Sequence, residues 1–209
     1  MVDFLIIFEE LQYYSKNDVD KGSIPVEIYK LCSSIKETFC LSYSIRKNNN
    51  LYLLFYNNQI LIKLQGNELR FLGPDERSQA ILLNKAIYKT NEVNNVNRWN
   101  KSTSGIYIRK IESPLKFLFL FESLSYNKII ILNDYINNDI LTIEDLKNLR
   151  NLNDYLFILP NFHKGSKVAN FLDLVKKINN VKFVILPKIK SNANIILYIN
   201  FIIDRQTKF

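Results

Sequence analysis

The stretch from Asn67 to Lys89 reads N-E-L-R-F-L-G-P-D-E-R-S-Q-A-I-L-L-N-K-A-I-Y-K. Gly73-Pro74 ends whatever strand or loop carries Leu69, Phe71 and Leu72, because proline has no N–H to donate and a fixed φ suited to the first helical position. A helix is therefore expected to open at Asp75. Asp75 and Glu76 fall in its first turn, where the helix dipole favours negative charge, and Ala80, Leu83, Ala86 and Ile87 recur at the spacing of a buried face. Arg77 does not fit, since a cation is disfavoured at a helix start, and Arg70 stands just upstream of the break. An arginine beside free backbone N–H groups suits a phosphate, so a nucleic-acid backbone is one partner for it and a structural ion pair is the other.

The rest of the chain carries the same bias. Its 209 residues hold 28 Lys and Arg against 20 Asp and Glu, a net charge of +8, which favours an anionic partner and RNA or DNA ahead of an acidic protein. Aromatic residues make up 13%, too many for a disordered tract, and the length suits a single domain over 1–209. Cys32 and Cys40 fall on one expected helix, about 12 Å apart by helix rise, so they are core thiols and not a disulfide. With His163 as the single histidine and no C-x-x-C or H-x-x-x-H spacing, a metal site is not expected. Neither G-x-G-x-x-G nor G-x-x-x-x-G-K-[ST] occurs, which disfavours a dinucleotide or P-loop cofactor. The N-terminal run carries Asp3 and lacks the basic start of a signal peptide, and no apolar run nears the ~18 residues of a membrane span, so a cytoplasmic protein is expected.

Upstream of the opening stretch, 3–8 (D-F-L-I-I-F) is a continuous apolar run, the mark of a strand buried on both faces. The polar residues 9–23 read as irregular. Pro25 then opens a helix on which Ile28, Leu31, Cys32, Ile35 and Phe39 form one face, and strands 51–56 and 59–64 form a hairpin through Asn57-Asn58, a pair able to take positive φ. Downstream, 90–104 is an Asn-rich connector in which Trp99, between Arg98 and Lys101, reads as a packing anchor or a base-stacking ring.

Strands and helices then alternate over 106–111, 114–124, 128–132, 142–149, 155–159, 167–178, 181–186 and 193–204. That rhythm argues for an α/β fold with a mostly parallel sheet flanked by helices. Three of these strands end alike, at Leu132-Asn133-Asp134, Leu159-Pro160-Asn161 and Leu186-Pro187-Lys188. Ligands of open α/β sheets bind at strand carboxyl ends, so these loops are the candidate pocket, suited to a flat heterocycle. The closing helix is apolar almost all round and has to be covered on most sides, which implies docking on the sheet and a second copy of the chain.

L-R-F-L-G-P-D-E-R-S at 69–78, with Leu41-Ser42, Ile45-Arg46, G-I-Y-I at 105–108 and I-I-D-R at 202–205, resembles the archaeal tRNA pseudouridine N1-methyltransferases of the SPOUT class. The resemblance implies a SPOUT-like domain with a C-terminal trefoil knot, a homodimer, S-adenosylmethionine held by the loops after the last strands, and methylation of a pseudouridine in the T-arm of tRNA. On that reading Asp75 is the base or orienter with Glu76 behind it, Arg77, counted with the catalytic residues, and Arg70 hold phosphates or the base carbonyl, and Arg46 extends that RNA-binding track. Ser78 bonds the flipped base or caps the helix. Leu132, Asn133, Leu159, Pro160, Asn161, Leu186, Pro187 and Ile195 surround the cofactor. The chain departs from the family pattern where it has Pro160 and Pro187 in place of the usual glycines, and Asn161 and Phe162 in place of Asp and His. A proline removes a backbone donor, so a relative that binds RNA without methyl transfer stays open, as does a basic RNA-binding protein with no small-molecule pocket.

Overall fold

The computed structural model describes residues 1–114, 116, 128–132, 140–141, 143–149, 151–152, 155–161, 167–169, 181–184, 186, 189 and 191–206. Its strands are β1 (Val2–Phe8), β2 (Asn49–Phe55), β3 (Ile60–Gln65), β4 (Asn100–Thr103), β5 (Ile106–Lys110), β6 (Lys128–Leu132), β7 (Ile140–Leu141), β8 (Tyr155–Asn161) and β9 (Val181–Val184). The helices are α1 (Lys16–Asp20), α2 (Val26–Phe39), α3 (Glu76–Lys89), α4 (Ile143–Asn148) and α5 (Asn192–Gln206).

Strand β1, apolar except for Asp3, is buried along its whole length between parallel neighbours β2 and β8. The sheet order is β4-β5-β3-β2-β1-β8-β6-β9-β7. From β2 to β7 the six strands are parallel, and β3, β5 and β4 extend the sheet by antiparallel pairing. Alternate residues of β1 feed two cores. Phe4, Ile6 and Phe8 pack with Leu31 and Ile35 of α2, Ala80 and Leu83 of α3, and Ile196 and Ile199 of α5. Leu5 and Ile7 face the other side with Leu54, Leu61, Ile158 and Val168. On the first side α2 lies in the middle, packed against both α3 and α5.

Several expectations from sequence are corrected. Residues 9–23 hold a helix, α1, whose capping box the polar composition hid: Ser15 Oγ accepts from Asp18 N–H at 3.1 Å, and the Asp18 carboxylate accepts from Ser15 N–H at 2.7 Å. The connector contains β4, and Trp99 within it packs on the second core with the Arg109 guanidinium 5.7 Å from its ring centre, which favours the anchor reading. The positive φ of the hairpin falls on Gln59 (54°), not on Asn57 or Asn58. Leu159-Pro160-Asn161 is the end of β8 and not a loop, because β1 runs on far enough to pair Ile7 with Pro160 and Phe8 with Asn161. Helix α5 is buried on one side only, with Leu197 and Phe201 half exposed. Most of the expected helices 114–124 and 167–178, Asn133-Asp134, Pro187-Lys188, Phe162 and His163 lie outside the described residues.

Candidate active site: a capped helix start and a cleft at the strand ends

The start of α3 is held by short-range bonds. Asp75 is its N-cap, with extended backbone (φ −82°, ψ 145°), so Pro74 precedes the cap instead of occupying the first helical position. Asp75 Oδ1 accepts from Ser78 N–H at 2.8 Å, and Ser78 Oγ donates to the Asp75 carbonyl at 3.0 Å. A Cβ at Gly73 would stand 2.5 Å from Asp75 Oδ2 and 2.7 Å from Ser78 Oγ, so only glycine lets the carboxylate fold back over the break. The Ser78 N–H bond holds the Asp75 carboxyl below the usual carboxylate range, while partial burial pushes Glu76 up.

The arginines divide. Arg77 pairs with Asp20 of α1 at 2.7 Å, both side chains well exposed. Arg46 makes a bidentate pair with Asp204 of α5, 2.6 Å on each arm, and is mostly covered. Arg70 is exposed and makes no ion pair among the described residues.

The cleft follows from topology. After β1 the chain crosses by α2 on one face of the sheet, whereas the helical residues 167–169 after β8 put Val168 in the core of the other face. Between two adjacent parallel strands whose connections leave on opposite faces, the carboxyl ends open a crevice. A cavity of about 460 Å³ lies there, walled by Tyr29, Ser33 and Glu37 of α2, Pro160 and Asn161 of β8, and the first turn of α5. That is the size of a small-molecule site. A second hollow of about 270 Å³ adjoins it at Glu9, Glu10 and Glu27. Asn161 Nδ2 donates to Glu27 Oε2 at 3.2 Å, closing the wall between them. At α5, Ser191 Oγ accepts from Asn194 N–H at 3.2 Å.

Of the residues expected around a cofactor, Pro160 and Asn161 line the cleft. Leu159 and Leu186 are buried in the core, and Ile195 packs half-buried against it. Leu132 ends β6 beside Val184 of β9. The sequence reading missed the outer face of α2 and the Ser191–Asn194 turn. The second had a signal, since S-N-A-N ahead of an apolar helix is an N-cap pattern, while the polar face of α2 had none. Among the described residues no group of three or more His, Cys, Asp or Glu could hold a metal, and no helix is long and apolar enough to cross a membrane.

A family whose description reads "Putative SAM-dependent RNA methyltransferase" matches residues 21–207. The chain belongs to that family. The tRNA (pseudouridine(54)-N(1))-methyltransferase of Methanocaldococcus jannaschii is 30% identical over 209 residues, 96% of each chain. That of Methanococcus vannielii is 35% identical over 133 residues, 62% of this chain and 61% of the relative. Among solved structures, Archaeoglobus fulgidus Nep1 bound to S-adenosylhomocysteine superposes with a TM-score of 0.58, covering 100% of this chain and 99% of its own at 11% identity, which shows a shared α/β fold.

Proposed function

We propose that this methyltransferase acts on N1 of a pseudouridine in the T-arm of tRNA. The observation that carries the reading is the match over 96% of both chains to a relative named for that reaction. The charge of +8 suits an RNA substrate.

S-adenosylmethionine, when bound, supplies a methyl group on a sulfonium that is already a good leaving group. The cleft residues fit such a molecule. The start of α5 presents backbone N–H groups that favour its carboxylate, Tyr29 offers a ring to a flat heterocycle, and Glu37 offers a negative charge to its cationic end. Asp75, like any ordinary carboxyl, is ionised at neutral pH, and the Ser78 N–H bond that lowers its pKa further makes it a weaker base. Its role is then to accept a hydrogen bond from the ring N1–H and fix the base in line, with the proton passing on to water. Ser78 is spent on the cap and serves by positioning Asp75. Arg77 can exchange Asp20 for a phosphate at little cost, since exposed pairs contribute ~0–1 kcal/mol, and Arg70 stands open beside it. Arg46, forked onto Asp204, is the least free of the three arginines.

Within one chain α2 separates the start of α3 from the cleft's α5 wall. The reading includes a homodimer, for which the exposed apolar residues of α2 and α5, Val26, Tyr29, Leu197 and Phe201, offer a surface. The reading includes a trefoil knot formed by the strand-end loops, one domain over 1–209 and a cytoplasmic location.

Asp75→Asn is the test. Asparagine caps a helix about as well as aspartate, so the fold stays intact. Turnover on pseudouridine-containing tRNA is expected to fall at least ~100-fold with tRNA affinity nearly unchanged. Retained turnover would remove Asp75 from the mechanism. A second reading, an RNA-binding relative without methyl transfer, draws on Pro160, which brings no N–H to the cleft wall. Calorimetric titration with S-adenosylmethionine and S-adenosylhomocysteine decides between them: micromolar binding of either supports the enzyme, and no heat from a folded protein supports the second reading.

A further inference from the structure

Phe71 is the bulky apolar residue that the fold turns outward just before the break. Leu69 before it is buried and Leu72 after it packs on the core, while Phe71 is 87% exposed with φ of 64°. The left-handed region is disfavoured for a side chain bearing a Cβ, and Phe71 is absent from both apolar cores whose contacts could offset that cost. A second exposed ring belongs to the loop that meets this one at Cys40 and Gly73. Tyr43 is fully exposed at the tip of a tight turn closed by Leu41 N–H on the Ser44 carbonyl (2.9 Å) and by the pairing of Cys40 with Ile45. The two loops meet where Cys40 Sγ lies 3.8 Å from the Gly73 carbonyl oxygen. Tyr43 is three residues from that contact and Phe71 two, so chain length alone keeps both backbones within roughly 11 Å of it. Gly73 is also the residue against which the Asp75 carboxylate folds.

We infer that Phe71 and Tyr43 form a stacking platform for unpaired bases beside the target nucleotide, an inference that rests on the RNA methyltransferase reading. Exposed Arg70 adjoins Phe71 in the chain and exposed Lys47 follows Tyr43 by four residues, while polar Ser42 and Ser44 flank Tyr43 and leave Leu41 as the other exposed apolar side chain of its turn, less apolar surface than a protein partner would need. Aromatic faces rimmed by cations are what single-stranded RNA binds, with the bases on the rings and the phosphates on the charges. A base to be methylated at a ring nitrogen has to leave its stack, and its neighbours then need new faces to cover them.

The test uses the full chain with two RNAs, a T-arm hairpin carrying 2-aminopurine in its loop and a blunt duplex of the same stem. Phe71→Leu and Tyr43→Leu are each expected to weaken hairpin binding about tenfold and to abolish the 2-aminopurine quenching, with duplex affinity unchanged. Phe71→Gly, which removes the backbone cost together with the ring, is expected to lose hairpin binding equally while melting no lower than the parent. Hairpin affinity and quenching equal to the parent's would overturn the platform, as would an equal loss on the duplex. Failure of the parent to methylate pseudouridine-containing hairpin would instead overturn the methyltransferase reading, and the hairpin-to-duplex difference would still judge the two rings.

Discussion

At the amino ends of β1 and β2 the chain buries polar groups and pairs nearly all of them, whereas at the carboxyl ends of β1 and β8 it leaves polar groups lining open space. Asn49, almost fully buried, donates to the Thr38 carbonyl at 2.9 Å and to Asn200 Oδ1 at 3.0 Å, and Asn200 donates in turn to the Glu37 carbonyl at 2.8 Å. These bonds lock the end of α2 to the start of β2 and the middle of α5. The nearby Arg46–Asp204 fork ties the loop before β2 to α5, and Arg46 N–H ties the same loop to the Phe39 carbonyl at the end of α2 at 2.7 Å. At the other end Asn161, Ser191, Asn192 and Asn194 face the cleft, and few of their groups are spent on the fold. The contrast teaches where stability and binding have been separated: polar groups that are buried have to be satisfied by the chain, and those around a cleft are left for a ligand.

Substitutions at the two ends should therefore fail in different assays. The largest effect on stability is expected for Asn49→Ala, which leaves the Thr38 carbonyl and Asn200 without their donor inside the protein. Chemical denaturation should report a loss of about 3 kcal/mol. A normal denaturation midpoint would break the contrast at once.

Asp3, also at the sealed end, should act in the opposite direction. Its Oδ1 accepts from Asn50 at 2.8 Å, but its buried Oδ2 has no hydrogen-bond partner among the described residues, and burial raises its pKa to about 6. The folded state thus holds a proton that the unfolded chain releases near pH 3.8. The stabilisation tied to that proton is fully present below pH 3.8 and is lost as pH rises through about 6. Asp3→Asn is expected to raise stability at pH 7.5 by ~2 kcal/mol and to change it little at pH 4. Equal effects at both pH values would show that the charge is not what burial penalises.

At the open end, Ser33→Phe places a ring in the cleft from the exposed side of α2. Calorimetry should show S-adenosylmethionine binding weakened about tenfold, about 1.4 kcal/mol, with an unchanged melting temperature. The smallest effect belongs to the exposed Arg77–Asp20 pair. Asp20→Asn should alter stability by less than about 0.5 kcal/mol, and it sharpens the comparison if RNA affinity rises as Arg77 is released.

How much of this could be read beforehand differs residue by residue. Asp75 as a helix start, Gly73-Pro74 as a break and the buried faces of α2 and α3 follow from interactions within a few residues, so the sequence carries them directly. The doubly buried β1 was equally plain, because an apolar run without alternation leaves a strand no wet face. Pro160 and Asn161 were found by the rule that strand carboxyl ends bind ligands, although they proved to be the last residues of a strand that β1 prolongs. Tyr29, Ser33 and Glu37 gave no sign, since a polar face on an amphipathic helix looks the same whether it meets water or a cleft.

The sequence by itself determined the local elements, the caps, the basic charge and the family, because each depends on residue type and on spacing within a turn or a strand. Only the tertiary structure decided the partners of the arginines, the outward turn of Phe71 and the walls of the cleft. Those depend on which segments meet across separations such as the 158 residues from Arg46 to Asp204, and burial and pairing over such distances are set by the sheet order that brings the ends together.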